Sequence, residues 1–162
     1  MELESTDKIA IVYETIKNIE IAINRLEERN VQVHSVNDFL LSPWGMEKLD
    51  AACMVIIALG ESVKMLDKQT DKKLLPTYPS IDWKKVMGAR DIIAHHYFDV
   101  DAEEVFSIIK NDLKPLKKAI QFFKEQLSDE QSKLLYDLQG RKINKPHSGQ
   151  VYIKDNKKML KK

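Results

Sequence analysis

A single cysteine, Cys53, stands in the 162 residues. No disulfide within the chain can form, and no cysteine-based metal cluster. Cys53 sits in the run Ala51-Ala52-Cys53-Met54-Val55-Ile56-Ile57, where a small core residue is expected. Glycine and proline are equally scarce, five of each. That scarcity disfavours a turn-rich β fold and favours helices. Apolar runs of about 20 residues, the length of a membrane span, are absent. The N-terminus, MELESTDK, is acidic and has no apolar signal core. The expectation is therefore a cytoplasmic protein. No strong charge of one sign exists either: the net charge is +1. The chain as a whole is not an electrostatic binder of nucleic acid.

The chain has 43% hydrophobic residues, enough for a core, and 31% charged residues, enough for solubility. The charge is uneven. Residues 1–128 hold 17 Lys and Arg against 21 Asp and Glu, whereas residues 129–162 hold 9 against 4. Two regions are read from this: a helical bundle over 1–128 and a basic tail over 129–162. Such a tail can touch RNA or an acidic partner. The blander reading is a tail that its lysines keep solvated.

Periodicity places the helices. Ile9, Val12, Ile16, Ile19, Ile23 and Leu26 alternate spacings of three and four, an apolar seam on one helix face. Ser5 or Thr6 is the candidate cap. A polar and apolar mix over 30–43 precedes a second helix, about Met46 to Leu66, apolar nearly all round at its middle. Such a helix belongs at the centre of a bundle. Gly60 within it points to close approach of a neighbour, because glycine costs a helix ~1 kcal/mol against alanine. Residues 67–82 read as a loop. Asp82 is the expected N-cap of a third helix from Trp83 toward His96. A last helix spans about Ala102 to Leu127, with Val105, Ile108, Ile109, Leu113, Leu116, Ile120, Phe123 and Leu127 on its apolar face. Pro115 should kink or divide it. In the tail, Leu134–Leu138 and Gln150–Ile153 read as two short strands around a turn. The fold class is thus all-α, an up-and-down helical bundle with a short C-terminal β-hairpin.

The residues that suggest chemistry are Arg90-Asp91-Ile92-Ile93-Ala94-His95-His96-Tyr97. A His pair at a helix end is usually surface or capping chemistry. As metal ligands His95 and His96 are a poor pair, since neighbours on a helix point about 100° apart and no third ligand is near. No metal and no cofactor is expected. Tyr97 alone would be a half-buried packing residue. Glu61 is read as a buried ion-pair partner for Arg90. Asp99 and Asp101 read as turn and N-cap residues for the last helix.

The pattern Arg90, four residues, His95, one residue, Tyr97 resembles the HepT branch of the HEPN superfamily. The similarity extends through Gly60-Glu61, the proline-containing loop, Ile81-Asp82-Trp83, Val86 to Arg90, Tyr97 to Asp101, and Leu113-Lys114-Pro115-Leu116, over about residues 8–125. The resemblance implies a HEPN-fold homodimer that cuts RNA without metal. It implies Arg90 and His95 as catalytic residues, from both protomers, in a cleft at the interface, with Asp91, His96 and Glu61 supporting. Many members carry Asn where Asp91 stands. The resemblance further implies a toxin silenced by a cognate nucleotidyltransferase antitoxin of MNT type, which transfers AMP to Tyr97. A second reading is a HEPN partner of a nucleotidyltransferase that does not cut RNA.

The chemistry suits these residues. RNA supplies its own nucleophile, the 2′-OH. Cleavage needs a base, an acid for the leaving 5′-oxygen, and a cation at the phosphorane. Histidine serves as base or acid near neutral pH, and arginine matches phosphate with two donors. One His95 per chain leaves one proton-transfer role unfilled, and a two-fold axis would supply a second. On a regular helix Arg90 and His95 lie roughly 140° apart, so they do not share a face. Either the helix is distorted there or a partner completes the site. The tail, from Tyr136-Asp137-Leu138-Gln139-Gly140-Arg141-Lys142 to Gly149-Gln150-Val151-Tyr152-Ile153, looks like the C-terminal sorting-type strand segment of many Bacteroidetes exported proteins.

Overall fold

A computed structural model describes residues 6–95, 100–132, 135–136, 138, 140–143, 147–154 and 157–161. It is mainly helical, with a small β-sheet at the C-terminus. The helices are α1 (Thr6–Arg29), α2 (Asn37–Leu40), α3 (Pro43–Gln69), α4 (Trp83–His95), α5 (Ala102–Ser107) and α6 (Leu113–Ser132). The chain divides into two compact units, 1–123 and 124–162, with the division inside α6.

Within the first unit α3 is central: α1, α2, α4 and α5 all pack against it. The α1 seam explains its side of that packing. Val12, Ile16, Ile19 and Ile23 are fully buried, and Ile9 and Leu26 nearly so. Each such side chain contributes about 1.5–3 kcal/mol. On α3 the buried set is Gly45, Leu49, Ala52, Cys53, Ile56, Leu59, Gly60, Val63 and Leu66. The Cys53 thiol is among them, and burial, helped by Asp50, pushes its pKa up to about 11. It is an inert packing group.

Caps set the ends of α3. Ser42 Oγ accepts from Gly45 N at 3.0 Å and Pro43 opens the helix, an N-terminus that uses both preferred residue types. At the other end Lys72 N donates to Asp67 O and Asp71 N to Lys68 O. This closing pattern usually has glycine. Asp71 takes its positive φ of 52° instead, and its carboxylate pairs with Lys8 Nζ at 2.8 Å.

The segment 30–43 holds one element that periodicity did not signal. The four-residue α2 is too short for a pattern, yet Phe39 in it is fully buried. Asp38 Oδ2 accepts from His34 N and Ser35 N, which holds its pKa below the usual carboxylate range. The loop after α3 is also more ordered than its composition suggested. Leu74 and Leu75 are buried beside a 3₁₀ turn at Leu75–Thr77.

Where a kink or a division was expected at Pro115, the run passes from α5 to α6 through an altered turn. The proline ring opposes the carbonyl four residues back, at Asn111. The residues just before it, Ile108–Asp112, form a π-helical turn, and this wider turn accommodates the missing donor. The eight apolar residues expected on this helix's inner face are all buried. Asp101 caps it, its Oδ1 accepting from Glu103 N at 2.9 Å and Glu104 N at 3.3 Å. The Ser5 cap, the Thr6 side chain and Asp99 lie outside the described residues.

In the second unit four strands, β1 (Leu135–Tyr136), β2 (Lys142–Ile143), β3 (Val151–Lys154) and β4 (Lys157–Leu160), form one sheet in the order β2-β1-β3-β4. The two strands expected from sequence are β1 and β3, and they pair antiparallel through Tyr136 and Ile153. The hairpin β3–β4 pairs Val151 with Leu160 and Lys154 with Lys157.

Gly45 sits close against α2. A Cβ there would lie 1.9 Å from the Asp38 carbonyl oxygen and 2.8 Å from that of Phe39. Backbone cannot yield cheaply, so Gly45→Ala should cost about 1–3 kcal/mol as overpacking does. A denaturant midpoint unchanged from the parent would show that α2 has no fixed seat on α3.

Candidate active site

Helix α4 carries the motif, and its first turn is firmly held. Asp82 Oδ1 accepts from Lys85 N at 3.0 Å, as an N-cap should. The Trp83 indole N–H donates to Tyr78 O at 3.0 Å. Its ring lies 5.6 Å from Phe123, and Tyr78 lies 5.3 Å from Phe122. Lys85 reaches Asp112 on the π turn at 3.2 Å. Three kinds of interaction therefore fix where α4 begins and how it is turned.

From that anchor the backbone is helical through His95, with no π or 3₁₀ interruption between Trp83 and His95. Regular geometry places positions 90 and 95 about 140° apart. Ile93 is buried, 4% exposed, and marks the inward face of α4. Position 90 lies about 60° from Ile93 around the axis, and position 95 about 160°, on the opposite side. The helix is not distorted to bring the two together. The side chains of Arg90, Asp91 and His95, and residues His96 and Tyr97 altogether, lie outside the described residues.

Glu61 requires a correction. It is exposed rather than buried, and pairs with Lys64 at 3.9 Å. The reason is rotation. Gly60 takes the inward position on α3, and the next residue turns about 100° outward. Glu61 there joins Met54, Ala58 and Met65 on one exposed stripe, at spacings of four, three and four. Met54 is 58% and Met65 54% exposed. Sequence reading took this apolar stretch as buried all round. The signal available was the pair Met54 and Met65, eleven residues or three turns apart and off the inner seam.

Beside the first half of α4 a partly open cleft of about 200 Å³ is lined by Ile56, Leu59, Ile81, Val86, Ala89 and Leu116. The Lys85–Asp112 pair flanks it. Its apolar walls suit packing more than phosphate. Among the described residues no group of three His, Cys, Asp or Glu could hold a metal ion. Among them too, no helix is long and apolar enough to cross a membrane.

Comparison with known proteins gives the class. The model of the ribonuclease HepT-like family matches residues 19–123, from the middle of α1 into α6, so the chain belongs to that family. Among curated proteins, one from Methanocaldococcus jannaschii named "Putative RNase MJ1216" is 32% identical over 92 residues, 57% of this chain and 62% of that protein. A second from the same organism, "Putative RNase MJ1380", is 29% identical over 63 residues, 39% of this chain and 54% of its own length. "Putative RNase TTE0752" of Caldanaerobacter subterraneus subsp. tengcongensis is 32% identical over 62 residues, 38% of this chain and 52% of that protein. The chain thus spans between half and two thirds of the length of these relatives. No solved structure matches it closely.

The anchoring of α4 can be tested. Trp83→Ala removes a large ring and its hydrogen bond at the start of the motif helix. The expected loss is about 3–5 kcal/mol, the usual cost of truncating a packed aromatic. Urea unfolding measures it; a loss under about 1 kcal/mol would mean that the cap and ion pair alone hold the helix.

Proposed function

We propose that the chain is a metal-independent endoribonuclease, the toxin of a toxin–antitoxin pair, acting through Arg90 and His95 of two copies. The single observation that carries this reading is the family match, which spans the helix bearing Arg90 and His95. The names of the relatives agree with it.

The mechanism follows from the residue types. One His95 removes the proton from a ribose 2′-OH, whose oxygen then attacks the adjacent phosphorus. The His95 of the second copy protonates the departing 5′-oxygen. Arg90 of each copy binds the phosphoryl oxygens and stabilises the charge that develops on them. The products are a 2′,3′-cyclic phosphate and a 5′-hydroxyl. Asp91 and His96 support the site from the same helix segment, and no cofactor is needed.

The requirement for a second copy has two supports. A regular α4 sets positions 90 and 95 on different sides of the helix. The exposed stripe Met54, Ala58, Met65 on α3 offers a face whose apolar side chains gain from being covered. We take that stripe as the homodimer interface, with Glu61 within it. In this reading Tyr97, just beyond α4, receives AMP from the cognate nucleotidyltransferase antitoxin. The added phosphate oxygens repel RNA at the cleft entrance. The helical bundle, residues 1–128, carries this chemistry in the cytoplasm, and residues 129–162 are an appendage to it.

The test of activity uses a mixed RNA pool with EDTA present. The parent should leave 2′,3′-cyclic phosphate ends, and an Arg90→Ala, His95→Ala double variant should not. If a dimeric parent free of AMP on Tyr97, by intact mass, cleaves nothing, the chain is instead a non-catalytic partner of a nucleotidyltransferase. The interface is tested separately. Met54→Glu with Met65→Glu should give a folded monomer by light scattering, with cleavage lost by at least about a hundredfold, the order of loss when a catalytic proton-transfer group is missing. A fully active dimer would place the interface elsewhere.

A further inference from the structure

The C-terminal sheet lies outside the family match, and nothing in the catalytic reading uses it. Its composition is one-sided: residues 133–162 contain nine Lys and Arg, against only Asp137 and Asp155. We infer that this sheet is a binding surface for the backbone and bases of single-stranded RNA, which holds substrate for the same chain's cleavage site. Its purpose as a substrate holder rests on the ribonuclease reading; the binding itself does not.

The register carries the argument. In an antiparallel ladder, directly opposed residues share a face of the sheet, as do residues two apart along a strand. Tyr152 opposes Met159, and Lys154 opposes Lys157. These four positions therefore lie together on one face. Tyr152 is half-buried and Met159 is 44% exposed. A like-charged pair directly across a ladder is destabilising. Lys154 opposite Lys157 is such a pair, and a bound phosphate relieves the repulsion. A part-exposed tyrosine beside it gives a base a ring on which to stack. Positive charge with an aromatic on one sheet face is the pairing that tracks single strands without reading sequence.

Protection of an exposed edge strand is the competing explanation. β4 is the edge, and lysines there discourage sheet-to-sheet pairing. Edge protection does not account for Lys154, which stands in the inner strand β3 directly across from Lys157. Lys157, Lys158 and Lys161 are exposed on and beyond β4. An acidic protein surface could use the charge but has no need of the stacking ring.

The probe is a fluorescent single-stranded 2′-O-methyl RNA of mixed sequence, which lacks the attacking hydroxyl and stays intact. Its affinity for the full chain is read by anisotropy over a range of salt. Replacing Lys154, Lys157 and Lys161 by Gln should weaken binding at low salt at least about tenfold. It should flatten the slope of log K against log salt by roughly 2, three phosphate contacts at about 0.7 each. The same three changed to Arg should restore both. Tyr152→Leu should weaken binding with the slope unchanged. Gln variants, folded by circular dichroism, that bind with parental affinity and slope would overturn the inference. So would full competition by polyglutamate of equal charge. Absence of RNA cleavage, by contrast, overturns the ribonuclease reading and leaves this binding measurement standing.

Discussion

The covering of α3 is the constraint on which the helical unit depends. A helix of 27 residues, about 40 Å long, with an apolar middle cannot be stable in water by propensity alone. It needs partners on most of its circumference. The α1 seam, Phe39 of α2, α4 and α5 supply them. Their arrival at α3 fixes the rest. Gly45 lets the α2 carbonyls approach, and Gly60 keeps an inward position small. The position of α4, and with it of Arg90 and His95, follows from this packing. Stability and the candidate site are therefore coupled, although no catalytic group needs to lie in the core.

Among the described residues one side of α3 remains exposed, the stripe of Met54, Ala58 and Met65. The same molecule sets positions 90 and 95 on different sides of an undistorted α4. The second copy proposed above would answer both. In that reading two-fold symmetry doubles Arg90 and His95 and so supplies a base and an acid from one kind of histidine.

In the proposed reading the two units meet RNA in different ways. The helical unit would carry the chemistry on α4, and the sheet, with its lysines and Tyr152, would hold the strand. Linking a weak general binder to a catalytic unit raises the local concentration of substrate without changing the reacting atoms. Salt sensitivity would then reside in the sheet, and the proton-transfer step in α4.

Much of this was legible in the residues alone. Helices α1 and α3 and the run from Ala102 were readable because each has a 3.6-residue apolar period, and the start of α4 at Trp83 because Asp82 offers a cap. Asp82 and Asp101 hold the caps that their places suggested. The candidate pair, Arg90 and His95, was read as a motif, through resemblance, and not as a geometry. What only the tertiary structure decided concerns positions where one residue's environment depends on distant neighbours. Glu61 read as buried because its surroundings are apolar in sequence, but Gly60 takes the inward place and turns it out. Pro115 read as a kink or a division, and the structure decides its form, a π turn between α5 and α6. Four-residue α2 and the ring cluster at Tyr78, Trp83 and Phe123 carry no period at all. Local pattern determines which elements form, since it acts within a turn or two of chain. Which face of α3 stays uncovered is a property of everything packed around it, and no local pattern encodes that.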